Sequence, residues 1–183
     1  MRRSWARFPF SGASASNLVD NGGFESGYFD DWSLITGGPG NDLLITNVSH
    51  SGALAANFAA TRHIDDIIYQ QLPTVPGSAY EIHYWLSNSN PDANGQDNHF
   101  VASWDGSPIL SLTNAPFFGY TEYSFTEIAS TSLTELRFAG ANKPAATYLD
   151  DVSVTLATLE PSTLVLGLAG FAALCFIALA EEV

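Results

Sequence analysis

The sequence predicts an all-β fold, an antiparallel β-sandwich followed by a single C-terminal hydrophobic helix. Residues 17–157 contain short runs of β-branched and aromatic residues, without the period of an amphipathic helix. Turn residues separate these runs and no crossover helix connects them, which is typical of antiparallel sandwiches. Residues 163–180 form an apolar stretch of 18 residues without a charge.

Ten candidate strands divide the middle of the chain. They are Trp32–Thr36, Leu43–Val48, Ala53–Phe58, Asp66–Leu72, Ala79–Ser87, His99–Trp104, Ile109–Leu112, Thr121–Ile128, Glu135–Ala139 and Thr147–Leu156. The clearest alternation lies in residues 80–87, where Tyr80 and Ile82 point to one face and Glu81 and His83 to the other. Such alternation indicates a strand with one buried face.

Composition excludes several classes of function. Acidic residues outnumber basic ones 19 to 6, and the net charge is −13, so the chain lacks the cations that nucleic-acid binding requires. An aromatic content of 13% is too high for intrinsic disorder, and one cysteine, Cys175, cannot build a disulfide framework. The acidic middle domain argues against binding strongly anionic polymers, unless calcium bridges them.

The two ends of the chain differ from its middle. Residues 1–16 combine a basic start with Ala13-Ser14-Ala15, and we interpret them as a degenerate signal peptide, the alternative being a disordered leader. At 1.5 Å per residue, a helix over residues 163–180 spans about 27 Å, close to the hydrocarbon thickness of a bilayer. The stretch has no polar face, which favours a transmembrane helix over a buried core helix.

A short motif precedes this helix: Glu160, Pro161, Ser162 and Thr163. With the apolar stretch, residues 158–183 resemble the PEP-CTERM sorting signal of Gram-negative bacteria. Leu159 stands where that motif has proline, and the tail ends Glu-Glu-Val instead of in an arginine cluster. The resemblance implies an exported protein that is anchored in the inner membrane, is processed by an exosortase-type enzyme, and reaches the cell surface or extracellular matrix.

The middle domain carries a second resemblance. Its opening Asn-Gly-Gly-Phe-Glu at 21–25, its Tyr-Trp-Leu at 84–86 and its closing Leu-Asp-Asp-Val-Ser-Val at 149–154 occur in that order. Residues 17–157 resemble the galactose-binding-like jelly roll of many carbohydrate-binding modules. The resemblance implies non-catalytic binding of a polysaccharide or other glycan.

Two carboxylates, Glu25 and Asp150, form the candidate metal site. Glu25 opens the domain and Asp150 closes it, and the first and last strands of a jelly roll are neighbours, so these side chains should meet. Adjacent carboxylates repel each other unless a cation neutralises them, and Ca²⁺ prefers oxygen ligands. Asp151 should project from the opposite side of its strand. The alternative is that these acids cap turns and face water.

In the family that the domain resembles, a structural Ca²⁺ occupies this junction. The resemblance implies Glu25 and Asp150 as side-chain ligands. The backbone ligands that it implies are Gly22, Gly23, Ser49, His50 and Ser51.

Trp85, His83 and Glu81 are the candidate carbohydrate-binding residues, because they share one face of a strand. An aromatic ring packs on the C–H face of a sugar while polar groups bind its hydroxyls. The alternative for Trp85 is packing under a loop or against the other sheet. Trp32 and Trp104 are predicted to lie in the core.

No catalytic motif is present, so we expect no enzyme activity: the chain lacks His-Glu-x-x-His, Gly-x-Ser-x-Gly and a P-loop. The sequence therefore favours an exported surface or matrix protein that binds carbohydrate and holds a structural calcium. The alternative is a structural or adhesive surface protein without a sugar site, acting through protein contacts or self-association.

Overall fold

A computed structural model describes residues 16–36, 43–60, 64–89, 98–142 and 144–157. These residues form ten strands and no helix. The strands are β1 (Ser33–Thr36), β2 (Leu44–Thr46), β3 (Ala55–Phe58), β4 (Asp66–Pro73), β5 (Ala79–Asn88), β6 (His99–Trp104), β7 (Ser107–Thr113), β8 (Phe118–Ile128), β9 (Leu133–Ala141) and β10 (Thr147–Leu156).

The strands pair into two five-stranded sheets, and every pairing is antiparallel. The first sheet has the order β1-β4-β9-β6-β7, and the second has the order β2-β3-β10-β5-β8. The predicted antiparallel β-sandwich is thus confirmed. The leader, the sorting motif and the predicted C-terminal helix lie outside the described residues. In the part that is described, no helix is long and apolar enough to cross a membrane.

Alternating side chains of the two sheets form one core. Large side chains that are fully or almost fully buried come from both sheets, among them Ile68 and Phe138 of the first and Tyr84 and Leu149 of the second. Trp32 and Trp104 are only 6% and 3% exposed, so their predicted core positions are confirmed. Burial of this apolar surface is the main stabilising contribution to the fold.

The start and the end of the domain lie side by side. The amide of Leu18 donates to the carbonyl of Val154 over 2.8 Å, and the amide of Val152 donates to the carbonyl of Gly22 over 2.9 Å. A Cβ added at Gly22 would overlap the Val152 carbonyl, so this close backbone approach requires glycine. The loop at residues 20–25 is thereby held beside β10.

Candidate functional site

The outward face of β5 carries the three candidate sugar-binding residues. Burial alternates along the strand as predicted, with Glu81 exposed and His83 and Trp85 half-buried on the outer surface of the second sheet. Trp85 lies between Asp150 of β10 and Glu122 of β8 in the strand register. The three side chains therefore share one surface.

The indole of Trp85 has a partner that the sequence did not reveal. The imidazole of His50 stacks on it, with ring centroids 3.6 Å apart and an interplanar angle of 9°. His50 comes from the loop after β2, and its Nδ1 lies 2.6 Å from a carboxylate oxygen of Asp151. One face of the indole is thus covered by a neighbouring loop, and the stack becomes part of the wall of the site.

Asp150 is the buried member of the candidate metal site. One carboxylate oxygen accepts hydrogen bonds from the amides of His50 at 2.8 Å and Ser51 at 3.2 Å, and the other accepts from the amide of Asp151 at 2.8 Å. Burial raises the pKa of Asp150, and the three amide hydrogen bonds act in the opposite direction. The carboxylate therefore ties β10 to the loop at residues 50–51.

Glu25 binds the same loop from the other side. One of its carboxylate oxygens accepts hydrogen bonds from the amides of Ala53 and Leu54, both at 2.9 Å. Gly52 has a φ of +59°, and a Cβ there would overlap the Glu25 carboxylate. Glycine is required at residue 52 on both grounds.

Gly23 lies where the acidic side chains converge. A Cβ built on it would be 3.7 Å from Glu25 Cγ, 3.8 Å from Asp151 Oδ1 and 4.0 Å from Asp150 Oδ1. We name Glu25, Asp150 and Asp151 the carboxylate junction. The structure brings together the residues that the sequence singled out, although among the described residues no group of three or more His, Cys, Asp or Glu side chains is arranged as a metal site.

The expected position of Asp151 is wrong. Its carboxylate bonds the Ser51 hydroxyl at 2.7 Å and faces His50, so it contacts the same loop as Asp150 instead of the opposite side of the strand. The reason is a register shift between Asp150 and Ser153, where Asp151 has a φ of +50°. A bulge of this kind breaks the alternation on which the expectation rested.

A groove of about 310 Å³ opens beside these residues, where β5 ends and β8 begins. We name it the aromatic groove; its lining is Val48, Ser87, Asn88, Ser89, Phe117, Phe118, Gly119, Tyr120 and Tyr148. Phe117 is 67% exposed, while the hydroxyl of Tyr120 donates to the carbonyl of Val48 over 2.8 Å. Burial and the nearby Asp150 raise the pKa of Tyr120, which therefore remains a neutral phenol.

Buried amide side chains hold the wall of the groove. Asn88 donates from Nδ2 to the carbonyls of Ala115 at 2.9 Å and Pro116 at 3.1 Å. Asn98 donates to Ala115 at 3.0 Å and accepts from its amide at 2.9 Å, and Asn142 donates to Asn88 at 2.7 Å. All three asparagines are at most 4% exposed. Hydrogen bonds from buried asparagine side chains therefore hold the segment that carries Phe117 in place.

No family model and no curated protein matches the chain, but solved structures share its fold. TmCBM61, solved in complex with β-1,4-galactotriose, is 14% identical with a TM-score of 0.59, covering 78% of this chain and all of that one. The CBM22-1 xylan-binding domain of Paenibacillus barcinonensis Xyn10C is 13% identical with a TM-score of 0.55, covering 82% and 100% of the two chains.

A third similar structure is the K3 cleaved adhesin domain of Lys-gingipain from Porphyromonas gingivalis. It is 17% identical with a TM-score of 0.56, covering 76% of this chain and 99% of that one. At these identities the likeness concerns the fold alone, which is a jelly roll.

Proposed function

We propose that the protein binds a glycan without catalysis, through the aromatic groove and the adjoining outer face of β5. The observation that carries the proposal is the groove itself, which places an exposed ring beside hydroxyl and amide groups. Phe117 and Tyr148 supply aromatic surface for the C–H face of a sugar, while Ser87 and Ser89 supply hydroxyls. The likeness in fold to TmCBM61, solved with a galactotriose, and to the CBM22-1 xylan-binding domain supports it.

The strand residues predicted from the sequence extend this groove. Trp85 lies two residues before Ser87 on β5, so the stack of Trp85 with His50 continues the lining along the sheet. His83 Nδ1 lies 3.3 Å from Glu122 Oε1, and Glu81 is exposed further along the same face. In this proposal His83 and Glu81 bind sugar hydroxyls. The net charge of −13 favours a neutral glycan.

A structural calcium at the carboxylate junction is part of the proposal. Glu25 and Asp150 offer hard oxygen ligands at one place. No Lys or Arg side chain among the described residues neutralises these carboxylates. The one such residue, Arg137, is on the other sheet, 3.9 Å from Glu135. The set of donors fits Ca²⁺, with the carbonyls at residues 22–23 and 49–51 as backbone ligands. When bound, the ion would neutralise the carboxylates and hold the loop at residues 49–54 against β10.

Export and anchoring complete the proposal. Residues 1–16 would direct export, residues 160–163 would act as the sorting motif, and residues 163–180 would insert into the bacterial inner membrane. An exosortase-type enzyme would then process the tail. The jelly-roll domain would work at the cell surface or in the extracellular matrix.

The direct test uses the purified full chain on a glycan array, followed by calorimetry with the best polysaccharide. We expect Phe117→Ala to weaken binding about tenfold, or ~1.4 kcal/mol, because the exposed ring is lost. Tyr28→Ala removes an equally exposed ring, 72% exposed, that does not line the groove, and should leave the affinity unchanged. Equal effects of the two substitutions would argue against the groove as the binding site.

The second candidate function is a structural or adhesive surface protein without a sugar site. The likeness to the adhesin domain of Lys-gingipain favours it. The same array separates the two proposals, because an adhesive domain would bind no glycan while the full chain self-associates in a concentration-dependent manner. Binding of a glycan that depends on Phe117 would reject it.

A further inference from the structure

The outer edge of β8 differs from the other three sheet edges of the sandwich. Strands β1 and β7 border the first sheet, and β2 and β8 border the second. Strands β1 and β2 have only four and three residues, while β7 contains Pro108 and a register shift against β6. Short strands, proline and bulges are the usual features that prevent an edge strand from pairing with another chain.

Strand β8 has none of these features over most of its length. It has 11 residues, and its register shift against β5 lies before Thr121, so residues 121–128 pair regularly with β5. This stretch contains no proline and no lysine. Among the described residues, no strand pairs with its other side. The stretch therefore presents a regular row of backbone donors and acceptors to a further strand.

The hydrogen bonds of β5 identify the backbone groups of β8 that point outward. The carbonyl of Ala79 accepts a hydrogen bond from the residue that follows β10, so Ala79 faces β10. The next residue, Tyr80, therefore faces β8, where its partner is Glu127. Backbone groups of an antiparallel strand alternate between its two sides. The residues whose backbone groups point away from β5 are Glu122, Ser124 and Thr126.

The side chains of this stretch suit a second copy of the same strand. Tyr123 and Phe125 pack against the core but remain half-buried, because β8 is the last strand of its sheet. The two charged residues of β8, Glu122 and Glu127, lie on opposite faces of the strand. Side chains that oppose each other in an antiparallel pair share a face, so Glu122 of one copy cannot oppose Glu127 of the other.

We propose that β8 pairs antiparallel with β8 of a second copy of the chain, around a two-fold axis at Ser124. In this register Glu122 opposes Thr126 of the partner subunit, and Tyr123 opposes the partner's Phe125. About six backbone hydrogen bonds join the two sheets into one, because each outward-facing residue both donates and accepts. The half-buried rings of the two copies then cover each other.

The dimer is expected to be weak and to depend on salt. A contact along one edge strand is small beside a standard protein interface. Each copy also carries a net charge of −13, so association should strengthen as the ionic strength rises.

The pairing also sets the direction of the two aromatic grooves. The two-fold axis is perpendicular to the sheet, so both copies present the outer face of the second sheet on the same side. Gly119 and Tyr120 of the groove lie four to five residues from the axis, which places the grooves roughly 30 Å apart at about 3.4 Å per residue. If the groove binds glycan, as proposed above, the dimer can hold one polymer at two points and gain avidity.

The first test is disulfide trapping of the full chain in detergent, in a Cys175→Ser background. Ser124→Cys places two cysteines opposite each other with Cα atoms about 5.5 Å apart, a distance that a disulfide spans. We expect mild oxidation to yield a covalent dimer. Thr126→Cys is the matched control, equally exposed on the same edge, and its two copies lie about 14 Å apart along the strands. It should give about tenfold less dimer, whereas mixing it with Glu122→Cys chains should restore the yield.

Sedimentation velocity of the full chain without added cysteines is the second test. Ser124→Glu sets like charges opposite each other and should abolish the concentration-dependent dimer. Ser33→Glu, at an exposed position on the edge strand β1, should leave the dimer unchanged. Equal disulfide yields at residues 124 and 126, a dimer that survives Ser124→Glu, or a chain that stays monomeric at high salt would each overturn the pairing. Neither test contains a glycan, so the proposed functions are decided separately by glycan binding.

Discussion

The aromatic groove and the carboxylate junction are adjacent but are built from opposite kinds of polar group. Neutral amides of Asn88, Asn98 and Asn142 hold the groove wall, and they carry no charge at any ordinary pH. The junction concentrates carboxylates around Gly23, and burial raises the pKa of one of them, Asp150. The shape of the groove should therefore be independent of pH and ions, whereas the stability of the junction should depend on both.

The largest expected effect comes from removing the buried carboxylate of the junction. Asp150→Ala leaves three backbone amides without their acceptor, and we expect a loss of about 3 kcal/mol in the free energy of unfolding. Urea denaturation of the full chain measures it. Asp30→Ala, at an exposed position, should change stability by no more than about 0.5 kcal/mol. A loss below about 1 kcal/mol for Asp150→Ala would show that water replaces the carboxylate.

Calcium removal should have the next largest effect on stability, and this effect should depend only on the junction. Calcium at 100 times its Kd stabilises a protein by about 2.7 kcal/mol, so EDTA should lower the melting temperature by several degrees and added Ca²⁺ should restore it. Asn98→Ala should retain this response, and Asp150→Ala should lose it. An unchanged melting curve in EDTA would reject the calcium site.

The pH dependence of stability tests the same difference between the junction and the groove. Burial raises the pKa of Asp150 above its ordinary value of 3.8, so its contribution to stability is complete below that pH and is lost as the pH rises through the raised value. A bound cation lowers the pKa of Asp150 instead, so that its contribution to stability is gained as the pH rises. In EDTA, the stability of wild type relative to Asp150→Asn should therefore fall as the pH rises. In Ca²⁺, it should increase as the pH rises.

The smallest expected effect concerns the groove wall. Asn98→Ala removes the acceptor of the Ala115 amide, which should cost about 1–2 kcal/mol and weaken glycan binding because Phe117 is no longer held. The loss should be equal in EDTA and in Ca²⁺. Asn47→Ala, at an exposed position outside the groove lining, is the matched control. A loss of stability for Asn98→Ala that depends on calcium would show that the groove and the junction are energetically coupled.

Local patterning was sufficient to predict the strands. Each of the ten predicted strands overlaps one that the structure forms, and the alternation of residues 80–87 places Tyr84 inside and Trp85 outside. This succeeded because successive side chains of a strand point to opposite faces, so a half-buried strand leaves a two-residue period in the sequence. The closeness of Glu25 and Asp150 was expected because the first and last strands of a jelly roll are neighbours, but β1 and β10 lie in different sheets. The segment before β1 lies beside β10 and brings the two residues together.

Alternation fails where the backbone departs from regular geometry. The positive φ of Asp151 turns its side chain towards the loop that Asp150 also binds, and no hydrophobic period signals this bulge. The stack of His50 on Trp85 joins residues 35 positions apart through the packing of a loop on a sheet. Such contacts depend on loop paths, which residue type alone does not specify.

The sequence by itself determined the all-β class, the strand positions, the buried tryptophans and the acidic character of the domain, because each depends on local period or composition. Only the tertiary structure decided the aromatic groove and its amide support. Asn88, Asn98 and Asn142 are distant in the chain and resemble ordinary loop or strand-end residues until the sheets pair. Strand register, a property of the whole sandwich, brings them beside the segment that carries Phe117.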